Sequence, residues 1–193
     1  RDEDLRADRQ PEFTQIDMEI SFTDEDEIIA INEGFIKYIF DNFMGKEVKT
    51  PFERITWHEA MERFGSDKPD MRFGFELKNI SEAVKNTEFK VFAGAIANGG
   101  SVRAINVKGG AKFSRKEIDQ LTEKAKHYHA KGLAWLKWNE SGEISSSYAK
   151  FLTDAENDAI KSGVGAEAGD LILIVADKNA VVFDSLGALR CEC

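Results

Sequence analysis

An α+β fold in two units is predicted for this 193-residue chain. Three observations carry it. Apolar runs of strand length recur at 102–107, 133–138 and 171–176. Helix-capping signatures open the segments between them, at Ser114-Arg-Lys-Glu117 and Thr153-Asp-Ala-Glu156. Charge is unevenly placed: residues 1–78 hold 11 basic and 20 acidic side chains, whereas residues 79–193 hold 15 of each. The first unit therefore carries the whole net charge of −9 and the second is neutral, which places a boundary near Lys78-Asn79.

Residues 14–22 read as a strand. Phe13, Gln15, Asp17 and Glu19 share one face and Thr14, Ile16, Met18 and Ile20 the other. An ordinary exposed strand shows the same alternation. Thr23-Asp-Glu-Asp26 supplies an N-cap and an acidic first turn. Ile28, Ile31, Phe35, Ile39 and Phe43 then follow at near-helical spacing, the pattern of a helix packed on a core, and Gly45 stops it. Residues 51–57 are a short extended piece. Thr56-Trp-His-Glu59 opens a short helix that ends at Gly65. Gly, Pro and Asp make residues 65–74 a loop.

The second unit is expected to run β-β-α-β-(α)-β-α, a sheet covered by helices on one face. Residues 89–97 and 102–107 read as two strands joined by Asn98-Gly99-Gly100 in a hairpin. The helix opened by Ser114 carries Ile118, Leu121, Ala125 and Tyr128 on one stripe, and Gly132 stops it. Residues 133–138 are the third strand. Ser145-Ser-Ser147 reads as a polar loop. A short helix follows Thr153, the continuous apolar run 171–176 is the fourth strand, and Asp177 caps a last helix through Val181, Leu186 and Leu189.

Apolar content of 42%, three Trp and fourteen Phe give enough material for a packed core and argue against global disorder. No apolar run approaches the length of a membrane span, and no secretory h-region is present. The acidic balance argues against a strongly basic nucleic-acid platform. Cys191 and Cys193 are spaced i, i+2 and read as two reduced thiols, which suits a cytoplasmic protein. His58 falls in a capping turn. His127 and His129 point apart on a helix and cannot share a metal, and no metal site is expected. Gly94, Gly99 and Gly100 do not fit a dinucleotide-binding fingerprint.

The order of residues 1–22 adds more. Arg1-Asp-Glu-Asp-Leu-Arg-Ala-Asp-Arg-Gln-Pro-Glu-Phe-Thr-Gln-Ile-Asp-Met-Glu-Ile-Ser-Phe22 resembles motif 2 of class II aminoacyl-tRNA synthetases, in the bacterial-type aspartyl form. Val91-Phe-Ala-Gly-Ala-Ile-Ala-Asn-Gly-Gly-Ser-Val-Arg103 and Gly132-Leu-Ala-Trp-Leu-Lys137 resemble the insertion (GAD) domain of the same family, a module shared with a subunit of the tRNA-dependent amidotransferase. With the linker 65–74, the resemblance covers nearly the whole chain. It implies part of an antiparallel class II catalytic core at 1–78, followed by a two-layer insertion domain at 79–193. The chain begins inside the motif without an initiator Met and is expected to be a fragment of a larger enzyme.

The resemblance also implies roles. The family activates L-aspartate with ATP and Mg2+ and transfers it to tRNA(Asp), and its members are homodimers. Arg1 matches the catalytic arginine that holds the α-phosphate and the attacking carboxylate; a planar guanidinium suits two parallel hydrogen bonds. Glu3 matches the acceptor for the adenine amino group and Phe13 the ring stacked on adenine. Gln15 and Asp17 match positions that hold the aspartate, with Glu19 beside them. Arg6 and Arg9 match contacts to the tRNA acceptor end. No candidate for motif 1, motif 3 or an anticodon-binding barrel is found, so the fragment is expected to be inactive alone and to hold no cofactor. Two other readings remain open on sequence: a non-catalytic module that binds tRNA or a partner through the insertion domain, and a bare structural domain.

Overall fold

The computed structural model describes residues 10–193, and contacts divide the chain into one unit up to Arg54 and a second over Ile55–Cys193. Helix α1 spans Glu25–Ile39, with Asp24 as N-cap accepting from the Glu27 N–H at 3.0 Å. Glu25, Asp26 and Glu27 crowd its first turn, where the helix dipole favours negative charge. A wider turn over Phe40–Met44 carries it to Gly45, the left-handed stop. The predicted apolar stripe is not covered: Ile28, Ile31, Phe35 and Phe43 are exposed. Residues 46–54 fold back on the polar side instead. There the buried Glu33 accepts the Phe52 N–H at 3.0 Å, and Lys37 donates to the Val48 carbonyl.

The strand expected at 14–22 is absent. These residues carry no ladder and are exposed. Alternation orders a strand only where a neighbour pairs its backbone and covers its apolar side. No described strand lies against this segment.

The second unit is built on a five-stranded sheet, with β1 at Lys78–Asn79, β2 at Ser101–Val107, β3 at Ala134–Trp138, β4 at Ile144–Ser146 and β5 at Leu171–Asp177. The order is β1-β2-β5-β3-β4 and every neighbouring pair is antiparallel. β2 and β5 pair along seven residues, from Ser101↔Asp177 to Val107↔Leu171. Leu171, Leu173 and Val175 face one core with Ile118, Leu121, Val182 and Leu186; Ile172 and Ile174 face another with Val84, Phe92, Tyr148 and Ile160. Helices α4 (Arg115–His127) and α6 (Asn179–Glu192) cover the first face. Helices α3 (Lys90–Ala97) and α5 (Asp154–Gly163) cover the second. The α+β class stands, but the single helical layer is corrected to two. A strand with no polar residue on either side must be covered on both.

The local corrections have local causes. Residues 90–97 form α3, not a strand. Their only fully buried large side chain is Phe92, and Ala93, Ala95 and Ala97 favour helix. Asn98-Gly99-Gly100 is then a helix stop: Gly99 and Gly100 donate to the Ile96 and Ala95 carbonyls, a Schellman turn with Gly99 at φ +73°. The α4 stop falls at His129, which takes φ +71° three residues before Gly132, because the turn is fixed by bonds from His129 and Ala130 to Lys126 and Ala125. Ser145 and Ser146 belong to the edge strand β4. Asp177 ends β5, and Lys178 takes the N-cap of α6 without a side-chain bond. The capping signatures at Ser114 and Thr153 form complete capping boxes, whereas of the box expected at Thr56-Trp-His-Glu59 the structure shows the Thr56 half, its side chain accepting from the Glu59 N–H.

Helix α2 (Trp57–Phe64) is capped by Thr56 and ends at Gly65, as expected. It meets α6 backbone to backbone: a Cβ on Gly187 would lie 2.5 Å from the Gly65 carbonyl oxygen. No flexible side chain can yield at that contact. Gly187→Ala should therefore destabilise the fold by about 1–3 kcal/mol through overpacking, read as a shift of the urea midpoint without a change in slope.

Candidate functional site

Residues 13–19 hold every described side chain that the sequence assigned to chemistry. Phe13 is half-buried, and Gln15, Asp17 and Glu19 are exposed. Ile16, Met18 and Ile20, the opposite set, are exposed as well. The four functional residues keep their alternate spacing, but no ladder holds them on one face. Arg1, Glu3, Arg6 and Arg9 lie outside the described residues. Among the described residues no group of three or more His, Cys, Asp and Glu side chains is placed to hold a metal. His58, His127 and His129 are exposed. Cys191 and Cys193 are free thiols, and burial pushes the Cys193 pKa up to about 11. No helix among the described residues is long and apolar enough to cross a membrane.

The second unit holds buried charges that the sequence reading missed. Arg103, on β2, is 3% exposed and donates to both Glu62 oxygens, at 2.7 and 2.9 Å. Its guanidinium lies over the Phe183 ring. Arg190, on α6, is 1% exposed and sits between the rings of Phe64 and Phe73. One of its nitrogens donates to the carbonyls of Asp70, Phe73 and Gly74 at 2.8–3.3 Å. Both arginines hold chain segments in place: Arg103 ties α2 to the sheet, and Arg190 ties the loop after Gly65 to α6. A lone arginine inside an apolar run was the available clue, since arginine is buried only where it is paired.

Asp170, at the start of β5, is the third buried charge. Its carboxylate accepts from the backbone N–H groups of Gly109 and Glu167 and from the Asn106 amide, all at 3.0 Å, and Lys108 lies at 3.0 Å. Burial opposes its ionisation, but these donors together hold its carboxyl below the usual value. It latches the turn before β5 to the end of β2.

Residues 92–186 match the family model of the GAD domain. The whole chain is 62% identical over 192 residues to an aspartate–tRNA ligase of Ruminiclostridium cellulolyticum and 58% identical over 192 residues to one of Clostridium botulinum. It is 57% identical to an aspartate–tRNA(Asp/Asn) ligase of Lachnoclostridium phytofermentans. In each case all of this chain is covered, and it spans about a third of the relative's length, 32%.

The Asp170 latch predicts a pH signature. A depressed folded-state pKa gives stability that is present above the unfolded value of about 3.9 and is lost as pH falls through the folded value. Asp170→Asn should cost about 1.5–3 kcal/mol at pH 7, the worth of hydrogen bonds to a charged group. Urea unfolding at falling pH should show the gap between wild type and variant closing below about pH 4.

Proposed function

We propose that the enzyme of which this chain is a part, an aspartate–tRNA ligase by the chain's match to the GAD domain model over residues 92–186 and by its likeness to such ligases along its length, activates L-aspartate with ATP and transfers it to tRNA(Asp) in the cytoplasm, as a homodimer. The observation that carries the reading is 62% identity over 192 residues, through the motif 2-like order of Arg1 to Phe22. The magnesium chemistry belongs to ATP: the ion would neutralise the phosphates, and no described cluster here is assigned to it.

In this reading the chain's own residues bind and orient. The reaction places charge on the α-phosphate as the aspartate carboxylate attacks it. That step needs a fixed cation and an orienting platform more than a general base. Arg1 is proposed to face the α-phosphate, Glu3 to accept from the adenine amino group, and Phe13 to stack on the ring, worth about 1–3 kcal/mol in other base-binding sites. Gln15 and Asp17 hold the aspartate, with Asp17 at its ammonium and Glu19 in the same network. Arg6 and Arg9 contact the acceptor end of the tRNA. Residues 79–193 are proposed as the insertion domain and residues 1–78 as part of the catalytic core.

The described arrangement supports a further part of the proposal. Gln15, Asp17 and Glu19 are exposed and pair with no described strand, and preorganised groups lose most of their effect when they are free to move. The 193-residue chain alone should therefore give no aspartate-dependent ATP–pyrophosphate exchange; exchange near the rate of an intact synthetase would overturn this.

In the full-length enzyme, Arg1→Ala should damage activation far more than Arg6→Ala. Removing a guanidinium from a desolvated anion leaves buried charge unpaired, at a cost of about 3–5 kcal/mol. Removing an exposed phosphate contact weakens tRNA binding and lessens its salt dependence. Exchange without tRNA and charging with tRNA, measured on each variant, separate the two. Loss of tRNA-free exchange in Arg6→Ala with Arg1→Ala intact would reverse the assignment.

A further inference from the structure

The described residues of the first unit, 10–54, have no apolar core. None of their apolar side chains is buried, and the one buried side chain is the Glu33 carboxylate. Helix α1 is therefore covered on the opposite side from an ordinary surface helix. Its polar side is closed by residues 46–54, where Glu33 accepts the Phe52 N–H and Lys37 donates to the Val48 carbonyl. Its apolar side is bare. Ile28, Ile31, Phe35 and Tyr38 are 39–58% exposed, and Phe43 in the turn that follows is 76% exposed. Steps of three, four and three residues put the first four on one stripe.

A helix of this length is marginal in water by itself, and in proteins most helical stability comes from packing the apolar face. Ordering the backbone costs free energy at every residue. Against that cost α1 sets its hydrogen bonds and the Asp24 cap, but no buried apolar surface. The second unit needs no such help: Val102, Ile105, Leu173 and Ile174 are at most 1% exposed. A contiguous apolar stripe left in water marks an interaction surface.

Charge and chain length select what covers it. Residues 1–54 hold 7 basic and 15 acidic side chains, so two copies of this unit would meet at −8 each. A second copy is the disfavoured occupant. The chain spans 32% of the relatives it matches. In such an enzyme the rest of the polypeptide is tethered to α1, at an effective concentration that a free partner does not reach.

We propose that the bare face of α1 is the seat of the enzyme's remaining polypeptide, and that residues 10–54 become ordered only when this face is covered. The covering surface is apolar, with cations where it meets Asp24, Glu25, Asp26 and Glu27. The segment with Phe13, Gln15, Asp17 and Glu19 leads directly into α1, so assembly and not substrate orders it. The proposal rests on the reading of this chain as part of a longer ligase, but its readout is order and not activity.

The test is hydrogen exchange read by mass spectrometry, on the 193-residue chain and on the full-length enzyme. In the chain alone, α1 amides should exchange within about tenfold of unfolded rates, and those of β2 and β5 about a thousandfold more slowly or beyond. ATP with aspartate should leave this unchanged. In the full-length enzyme the α1 amides should slow by about a hundredfold or more. Ile28→Gln, Ile31→Gln and Phe35→Gln together should leave β2 and β5 unaltered in the chain alone. In the full-length enzyme they should return α1 to fast exchange or cost its soluble yield. The proposal is overturned if α1 is as slow as β5 in the chain alone, if substrates slow it there, or if the triple variant keeps it slow in the full-length enzyme. Protection that rises with the concentration of the chain would assign the face to a second copy and reject it too. A full-length enzyme with slow α1 amides but no pyrophosphate exchange would uphold this inference and sink the ligase reading.

Discussion

The pairing of β2 with β5 is the constraint on which the second unit rests. Seven residues of each strand are in register, and β5 contributes apolar side chains to both faces. Burying a leucine or isoleucine side chain is worth about 1.5–3 kcal/mol, so neither face can be left to water. Two helical layers follow from that one strand. Helices α4 and α6 close one side and α3 and α5 the other, and the short strands β1 and β4 take the edges, where unpaired backbone is tolerable when brief.

Buried charge then fixes what the sheet alone would leave loose. Arg103 reaches from β2 to Glu62 on α2, and Arg190 reaches from α6 to three carbonyls of the loop after Gly65. The two guanidiniums lie over aromatic rings, which gives their flat faces favourable neighbours while their edges donate. These contacts bind α2 and residues 65–77 into the second unit. Charge placed the break near residue 78, whereas the contacts divide the chain at Arg54. Net charge counts surface groups; it does not register which segment an arginine grips.

The two units differ in how they present chemistry. Of the residues proposed to act on ATP and aspartate, Gln15, Asp17 and Glu19 lie on a segment whose alternating pattern joins no described strand. A cavity beside α3 and α6 is the reverse case. Its walls are held by the five-stranded sheet and two helices, and its lining was invisible in the linear order because Lys90, Lys131 and Lys178 are each some forty residues apart. Folding brings them to one opening.

The sequence by itself determined the elements whose signals are local. Ser114 and Thr153 capped helices as read, because a capping box needs only a span of four residues. The runs at 102–107, 133–138 and 171–176 became strands, since each is of strand length and enriched in β-branched or aromatic residues. The motif order that led to the synthetase family is likewise a property of the chain, and the relatives bear it out. Tertiary structure decided the rest. Residues 90–97 have the composition of either a buried strand or a buried helix, and only the space beside β5 selected the helix. Asn98-Gly99-Gly100 serves a hairpin or a helix stop equally well, and the element before it chose the latter. The alternation at 14–20 was legible, yet a strand exists only with a partner, and no spacing within one segment can supply the hydrogen bonds of another.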